Sequence, residues 1–252
     1  MKFKRLLPWI VPIVLLGSWQ LFSSIGWISN RVLPNPIDIF TAAVELTKSG
    51  QLAADVWIST QRAFWGFVVG GGIGFLLGLA NGLSKTAESL LDSSIQMIRN
   101  IPHLALIPIV ILWFGIEEEA KLFLVALGTF FPIYLNTFHG IRSVDKSLIE
   151  MASVYGLKDF SLFSNIIFPA ALPSILVGVR YALGITWVTL IVAETIASNS
   201  GIGYMAMNAR EFMQLDVVVL SIILYALLGK MSDLTAKLVE KRFLKWHPSY
   251  QK

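Results

Sequence analysis

No cysteine occurs in the chain, which excludes a disulfide framework and any thiolate metal site. The three histidines are too scattered to suggest a zinc centre. Charge is scarce as well: Asp, Glu, Lys and Arg make up 14% of the residues, against about a quarter in an average soluble domain. There is no phosphate-binding loop, because the pair Gly229-Lys230 is followed by Met231 and has no suitably spaced glycine before it. No serine-hydrolase elbow and no His-Glu-x-x-His helix is present either. Intrinsic catalysis, and nucleotide hydrolysis in particular, is therefore not expected of this chain.

What the sequence does have is apolar length. Hydrophobic residues make up 55% of 252 positions, more than a soluble fold of that size can hide. A hydrocarbon core of about 30 Å takes roughly 20 apolar helical residues to cross. Six such runs are predicted, at about 6–25, 64–82, 90–114, 121–140, 174–193 and 217–238, in one all-α polytopic domain spanning 1–252. The first follows Lys2, Lys4 and Arg5 but is too long for a signal peptide and lacks a good cleavage site, so it reads as a spanning helix. Residues 29–62, with Pro34, Pro36 and scattered charges, read as a turn and amphipathic helices outside the bilayer core. Within the second run Gly66, Gly70, Gly74, Gly78 and Gly82 recur every fourth position. Glycine costs about 1 kcal/mol in a helix interior, so this bare stripe predicts close approach of a neighbouring helix.

The net charge of +4 is not arranged as a nucleic-acid footprint, since the basic residues sit beside apolar runs. They carry a topology signal instead. Lys2, Lys4, Arg5, Lys85, Arg99, Arg142, Lys146, Lys158, Lys237, Lys241, Arg242, Lys245 and Lys252 fall on one side. Arg31, Lys48, Arg62, Lys121 and Arg210 fall on the other. The excess places both termini in the cytoplasm, within the cytoplasmic (inner) membrane.

The polar segment at about 142–173 then lies in the cytoplasm. Leu148, Ile149, Ala152 and Tyr155 share one face of a short helix that Gly156 can stop, and a second short helix from about Asp159 is expected to end before Pro169. An apolar face with no membrane to enter calls for a protein groove. Glu150, Ala152, Gly156, Ile166 and Pro169 stand at the spacing of Glu-Ala-Ala, three residues, Gly, nine residues, Ile-x-Leu-Pro, with Met151 and Phe168 departing to other apolar residues. That pattern resembles the signature loop of prokaryotic ABC importer permeases.

The resemblance extends along the chain. Residues 94–108, 111–116 and 193–196 look like the nitrate/sulfonate/taurine branch, and 199–204 with 207–212 are most similar to its aliphatic sulfonate permeases. It implies a type I importer permease acting as a homodimer. The implied partners are a cytoplasmic ABC ATPase dimer, which would use ATP and Mg, and an extracytoplasmic substrate-binding protein. It also implies that Glu150, Met151, Ala152, Ser153, Tyr155, Gly156 and Leu157 couple this chain to the ATPase. No cofactor or metal is expected on this chain itself. Taurine and nitrate are alternative substrates. An ion-coupled secondary transporter is a weaker rival, because neither a repeat between the halves nor an acidic residue at mid-span is read here.

Candidates for a substrate path lie on the fifth run. Arg180 offers a permanently charged fork for a sulfonate, although snorkelling, or pairing with the coupling segment, is the favoured reading. Thr186, Trp187 and Thr189 lie mid-span, where helix packing competes with contact to substrate. Glu194 is expected to cap its helix or to pair with Arg210. His103, Asn136 and His139 are expected to make interhelical hydrogen bonds. Glu117, Glu118 and Glu119, with Arg210 and Glu211, form either a docking surface for the binding protein or a solvated loop.

Overall fold

The computed structural model describes residues 3–30 and 32–246. Lys2, Arg31 and Lys252, and the side chains of Lys4 and Arg5, which entered the topology count, lie outside the described residues. No strand occurs among those described. Eleven α-helices follow in order: α1 (Phe3–Ser24), α2 (Pro36–Lys48), α3 (Gln51–Leu83), α4 (Lys85–Arg99), α5 (Ile107–Phe114), α6 (Glu118–Arg142), α7 (Lys146–Val154), α8 (Asp159–Leu162), α9 (Phe168–Ile196), α10 (Ile202–Glu211) and α11 (Leu215–Phe243). A 3₁₀ turn (His103–Leu106) precedes α5 and a π turn (Phe163–Ile167) precedes α9. The helices α3, α6 and α11, and α9 with the turns leading into it, are each long and apolar enough to cross a membrane. The α4–α5 pair adds a broken crossing, which brings the count among the described residues to five, and the Ile10–Ser24 part of α1 is a further apolar helix, shorter than a full span.

Three boundaries differ from the sequence reading. Helix α3 begins at Gln51 and runs about 50 Å, so Asp55 and Arg62, placed outside the bilayer core, belong to a continuous helix and are buried. The third crossing is not straight: α4 and the His103–Phe114 helices meet at 79°. Asn100, Ile101 and Pro102 form the break, and Pro102 biases the residue before it away from the helical region. The helix from Asp159 does not stop before Pro169 either, but continues through α9 to Ile196. Pro169 has no N–H to give the preceding turn, and the wider π turn, with Phe168 N–H bonded to Phe163 O, lets the chain pass without a break.

The chain divides into two compact units. The first comprises 1–59 with 199–226. Pro36 opens α2 at the position where its missing N–H costs nothing. The start of α10 leaves amide N–H groups without helical partners, and α3 supplies acceptors one turn apart. Asp55 Oδ1 accepts from Gly201 N–H at 2.9 Å, and Ser59 Oγ accepts from Ile202 N–H at 2.9 Å.

The second unit comprises 60–198 with 227–252 and is built round α6. On one side α6 meets the glycine stripe of α3. A Cβ added at Gly66 would lie 2.5 Å from Val125 Cγ1, at Gly74 2.5 Å from Phe130 O, at Gly78 2.7 Å from Tyr134 O and at Gly82 2.9 Å from Ile141 Cβ. One added at Gly70 would run into the Ala126 carbonyl. On its other side α6 packs along α9 through a second glycine set that the sequence reading did not single out. Gly178 of α9 lies against Asn136 and the Pro132 carbonyl, Gly140 against Ser174, and Gly128 against Thr189 and Ile185. With lipid outside the bundle there is little hydrophobic drive between helices, so this backbone proximity and its dispersion contacts hold the layer together.

Candidate functional site

The segment from α7 to the π turn projects a small apolar surface. Asp145 caps α7 by accepting from Ser147 N–H at 2.9 Å, and that bond holds its carboxyl below the ordinary carboxylate range. Ala152 is 2% exposed, and Ile149 packs into a cluster with Ile141, Val144, Ala171 and Ile175, anchoring the helix to the ends of α6 and α9. The helix stops at Val154 in a Schellman arrangement: Leu157 N–H bonds Ala152 O and Gly156 N–H bonds Ser153 O, each at 3.0 Å, with Gly156 at φ +85°. That left-handed position favours glycine because other residues pay a steric penalty there.

The face expected from the sequence is split by this turn. Ile149 and Ala152 point inward, whereas Leu148 and Tyr155 point out with Met151, Val154 and Phe160. Val154 is 87% and Tyr155 81% exposed. Glu150 and Ser153 are exposed beside them, and Leu157 is half-buried. Tyr155 departs from the predicted face because it follows the last helical residue, so its direction is set by the turn.

Within the helical layer an open cleft of about 620 Å³ runs along α9. Val177, Arg180, Tyr181, Gly184, Val188 and Thr189 line it, at the three- and four-residue spacing of one helix face, opposite His103 and Asp233. Arg180 and Thr189 therefore share the cleft, while Thr186 and Trp187 do not. Those two face the other side of α9, where Thr186 Oγ1 donates to Ala182 O and Trp187 Nε1 donates to Ser232 Oγ at 2.8 Å. Arg180 pairs with α11 rather than with the coupling segment: its Nε donates to Asp233 Oδ1 at 2.7 Å, its Nη1 lies 3.8 Å from Glu240, and Asp233 also takes Lys237 at 2.9 Å. Deeper along the cleft, His103 Nε2 and Thr189 Oγ1 share a hydrogen bond at 3.0 Å, the interhelical contact expected of His103. Asn136 instead donates to Pro132 O of its own helix at 2.8 Å.

Two further polar assemblies were not read from the sequence. Arg62 donates to both oxygens of Glu118, at 2.6 and 2.5 Å, and to Glu194 Oε1 at 2.8 Å. Lys121 approaches Glu118 at 3.4 Å and donates to Ile116 O and Ala197 O. Glu194 thus finds Arg62 rather than the expected Arg210, and Glu118 is engaged in the same network rather than free in a loop. Two buried cations, the buried Glu194 and the half-exposed Glu118 offset one another across α3, α6 and α9. The second assembly is a relay in which Asn81 Nδ2 donates to Tyr134 Oη and Tyr134 Oη donates to Asp92 Oδ1, both at 2.7 Å. Asp92 in α4 and Asp233 in α11 are acidic groups within the crossings, contrary to the expectation that none occurs at mid-span.

Comparison with known proteins adds four findings. Residues 70–245 match the family described as binding-protein-dependent transport system inner membrane component. The chain is 61% identical to a protein of Escherichia coli (strain K12) named as aliphatic sulfonates transport permease protein SsuC, over 98% of this chain and 94% of that one. It is 47% identical to a protein of the same name from Bacillus subtilis (strain 168), over 96% and 88%. Among solved structures, an inward-facing form of the MetNI methionine ABC transporter matches with a TM-score of 0.54 at 20% identity, covering 77% of this chain and 98% of that one, a likeness of fold.

Proposed function

The chain belongs to the family of binding-protein-dependent transport system inner membrane components, and from that premise we propose that it is the pore-forming permease of an ATP-driven importer of aliphatic sulfonates. The observation that carries the mechanism is the projecting apolar surface of Leu148, Met151 and Val154 on the capped helix α7, with Tyr155 in the turn after it and Phe160 on α8. A helix anchored by Ile149 and Ala152 and closed by Gly156 suits docking into a cleft of a cytoplasmic ATPase, whose movement it transmits as a lever. The same α7 segment packs on the ends of α6 and α9, so a push on it reaches the helix that lines the cleft. ATP and Mg belong to that partner, and this chain supplies the conduit.

The sulfonate assignment follows the similarity to the two relatives named above, and delivery by an extracytoplasmic binding protein follows the family. The charge asymmetry supports cytoplasmic termini even after correction. Arg62 and Lys121 leave the count because they are buried in the ion network, and Arg99 because of its position at the end of α4. A pair of permeases face to face would close the α9 cleft into a central path, with Arg180 and Thr189 inside it.

The test is reconstitution of the permease with its ATPase and binding protein in proteoliposomes. ATP-dependent uptake of ethanesulfonate in preference to taurine or nitrate is the expected result. Preference for either of the other two would reassign the substrate, and uptake driven by an ion gradient without ATP would overturn the importer reading.

A further inference from the structure

Five cations within the helical layer have carboxylate partners: Arg62 with Glu118 and Glu194, Lys121 with Glu118, and Arg180, Lys230 and Lys237 with Asp233. Arg99 is different. Among the described residues no hydrogen bond or ion pair engages its guanidinium, and it is exposed.

Its depth follows from the contacts of α4. The helix is capped by Ser84, whose Oγ accepts from Ala87 N–H, and it rises about 22 Å over 15 residues. Near its start Glu88 pairs with Arg142, the last residue of α6. One turn on, Asp92 meets Tyr134. Ile95 and Ile98 then line a cavity of about 470 Å³ with Leu122, Phe123, Ala126 and Leu127. The same cavity takes Phe130 and Phe131 of α6, so the C-terminal turn of α4 lies beside the middle of α6, and Arg99 is carried away from the end of the bundle where Glu88 meets Arg142.

Its direction follows from helical phase. At 100° per residue Glu88, Asp92, Gln96, Arg99 and Asn100 fall on one polar arc, while Leu90, Leu91, Met97 and Ile98 fall on the apolar one. Gln96 Nε2 donates to Asp92 Oδ1, so the polar arc is internally linked up to the turn below Arg99. Four residues beyond Arg99, after the bend, His103 enters the α9 cleft and bonds Thr189. Charged groups at bilayer depth face a bundle interior or an aqueous cavity, because lipid does not solvate them.

We propose that Arg99 is the anion-recognising residue of the translocation path, presenting its guanidinium fork to the oxygens of a sulfonate or a similar small oxyanion at the head of the cleft. This rests on the reading of the chain as an anion importer and assigns the positive charge that reading requires. Arg180 is a weaker claimant since Asp233 already holds its Nε. A forked, weakly hydrated cation matches a three-oxygen anion, and an anion entering there meets no carboxylate bonded to Arg99 that it must first displace.

Two measurements test it. In proteoliposomes holding the full complex, Arg99→Gln is expected to lower ethanesulfonate uptake by about tenfold or more, with Arg99→Lys retaining part of it and ATP hydrolysis still stimulated by the binding protein. Wild-type uptake by Arg99→Gln overturns the proposal. Because the chain has no cysteine, Arg99→Cys supplies a single thiol. In the assembled complex it is expected to react with a water-soluble methanethiosulfonate, as a residue lining an aqueous path would. Reaction only with a lipid-soluble maleimide places the residue away from the path and overturns the proposal. A wild-type complex that imports no sulfonate removes the substrate assignment alone, and the labelling experiment still decides the role of Arg99.

Discussion

Replacing Gly74 by alanine puts one methyl group where α3 and α6 touch. The added Cβ would lie 2.5 Å from Phe130 O and 3.2 Å from Tyr134 N, both backbone atoms. A carbon approaching a carbonyl oxygen settles at about 3.3–3.6 Å, so the helices must separate by roughly 1 Å at that level. No side chain can turn aside to make room, and Gly70 and Gly78, one turn to either side, hold the same helix against α6. Overpacking of this kind costs about 1–3 kcal/mol, against which alanine returns about 1 kcal/mol of helix propensity. The net expectation is a loss of about 1–2 kcal/mol, at the upper end of the overpacking range. Gly72 provides the internal control, because a Cβ there meets nothing within 4 Å. Gly72→Ala collects the propensity gain alone and should be neutral or stabilised by up to about 1 kcal/mol. Thermal unfolding of the detergent-purified permease, followed by tryptophan fluorescence, separates the two variants. A Gly74→Ala protein that melts with or above Gly72→Ala would refute close backbone packing as the reason for the stripe.

Three other substitutions have outcomes fixed by named contacts. Glu194→Gln removes one of two carboxylates from buried Arg62, which keeps Glu118, and should cost about 1–3 kcal/mol, read as a lowered melting temperature and reduced membrane level; an unchanged melt contradicts the network. Tyr134→Phe strands the amide of Asn81, whose Oδ1 already lacks a partner, and leaves Asp92 Oδ1 with Gln96 alone, at about 1–3 kcal/mol, and the same melt measures it. Met151→Asp adds charge to the exposed face of α7 without touching its buried side, so the permease should reach the membrane at normal level while its ATPase no longer co-purifies. Normal co-purification would remove this face from the docking surface.

Much of the fold is legible because membrane helices follow from local composition. A run of about 20 apolar residues needs no partner to be recognised, and five glycines at four-residue spacing declare a contact face before the neighbour is known. The stop at Gly156 is likewise local, which is why the end of α7 could be placed from its own residues, whereas the cap at Asp145 was seen only in the structure. What escaped the sequence reading is non-local. Arg62 lies 56 residues from Glu118 and 132 from Glu194, and nothing near it signals either partner. Its surroundings, rich in charge and following two prolines, read as a solvated segment, and only the folded bundle reveals a buried pair.

Helical phase was the other limit. Arg180, Thr186, Trp187 and Thr189 are equally central in α9, but which of them faces the cleft depends on how α9 rolls against α6, and Gly128, Gly140 and Gly178 set that roll. Arg99 was hidden for a related reason: basic residues near a proline at the edge of an apolar run read as a topology signal. Only the contacts of Asp92, Ile95 and Ile98 carry the end of α4 to the middle of the bundle.

The central claim is that the Leu148–Phe160 surface is the seat of a nucleotide-hydrolysing partner. Tyr155→Cys, in a chain otherwise free of thiols, can carry a benzophenone probe on a residue that is 81% exposed and follows α7 directly. Irradiation of the assembled complex in membranes, followed by mass spectrometry of the adduct, is expected to capture the ATPase subunit. Capture of lipid or of the extracytoplasmic binding protein instead would contradict the claim.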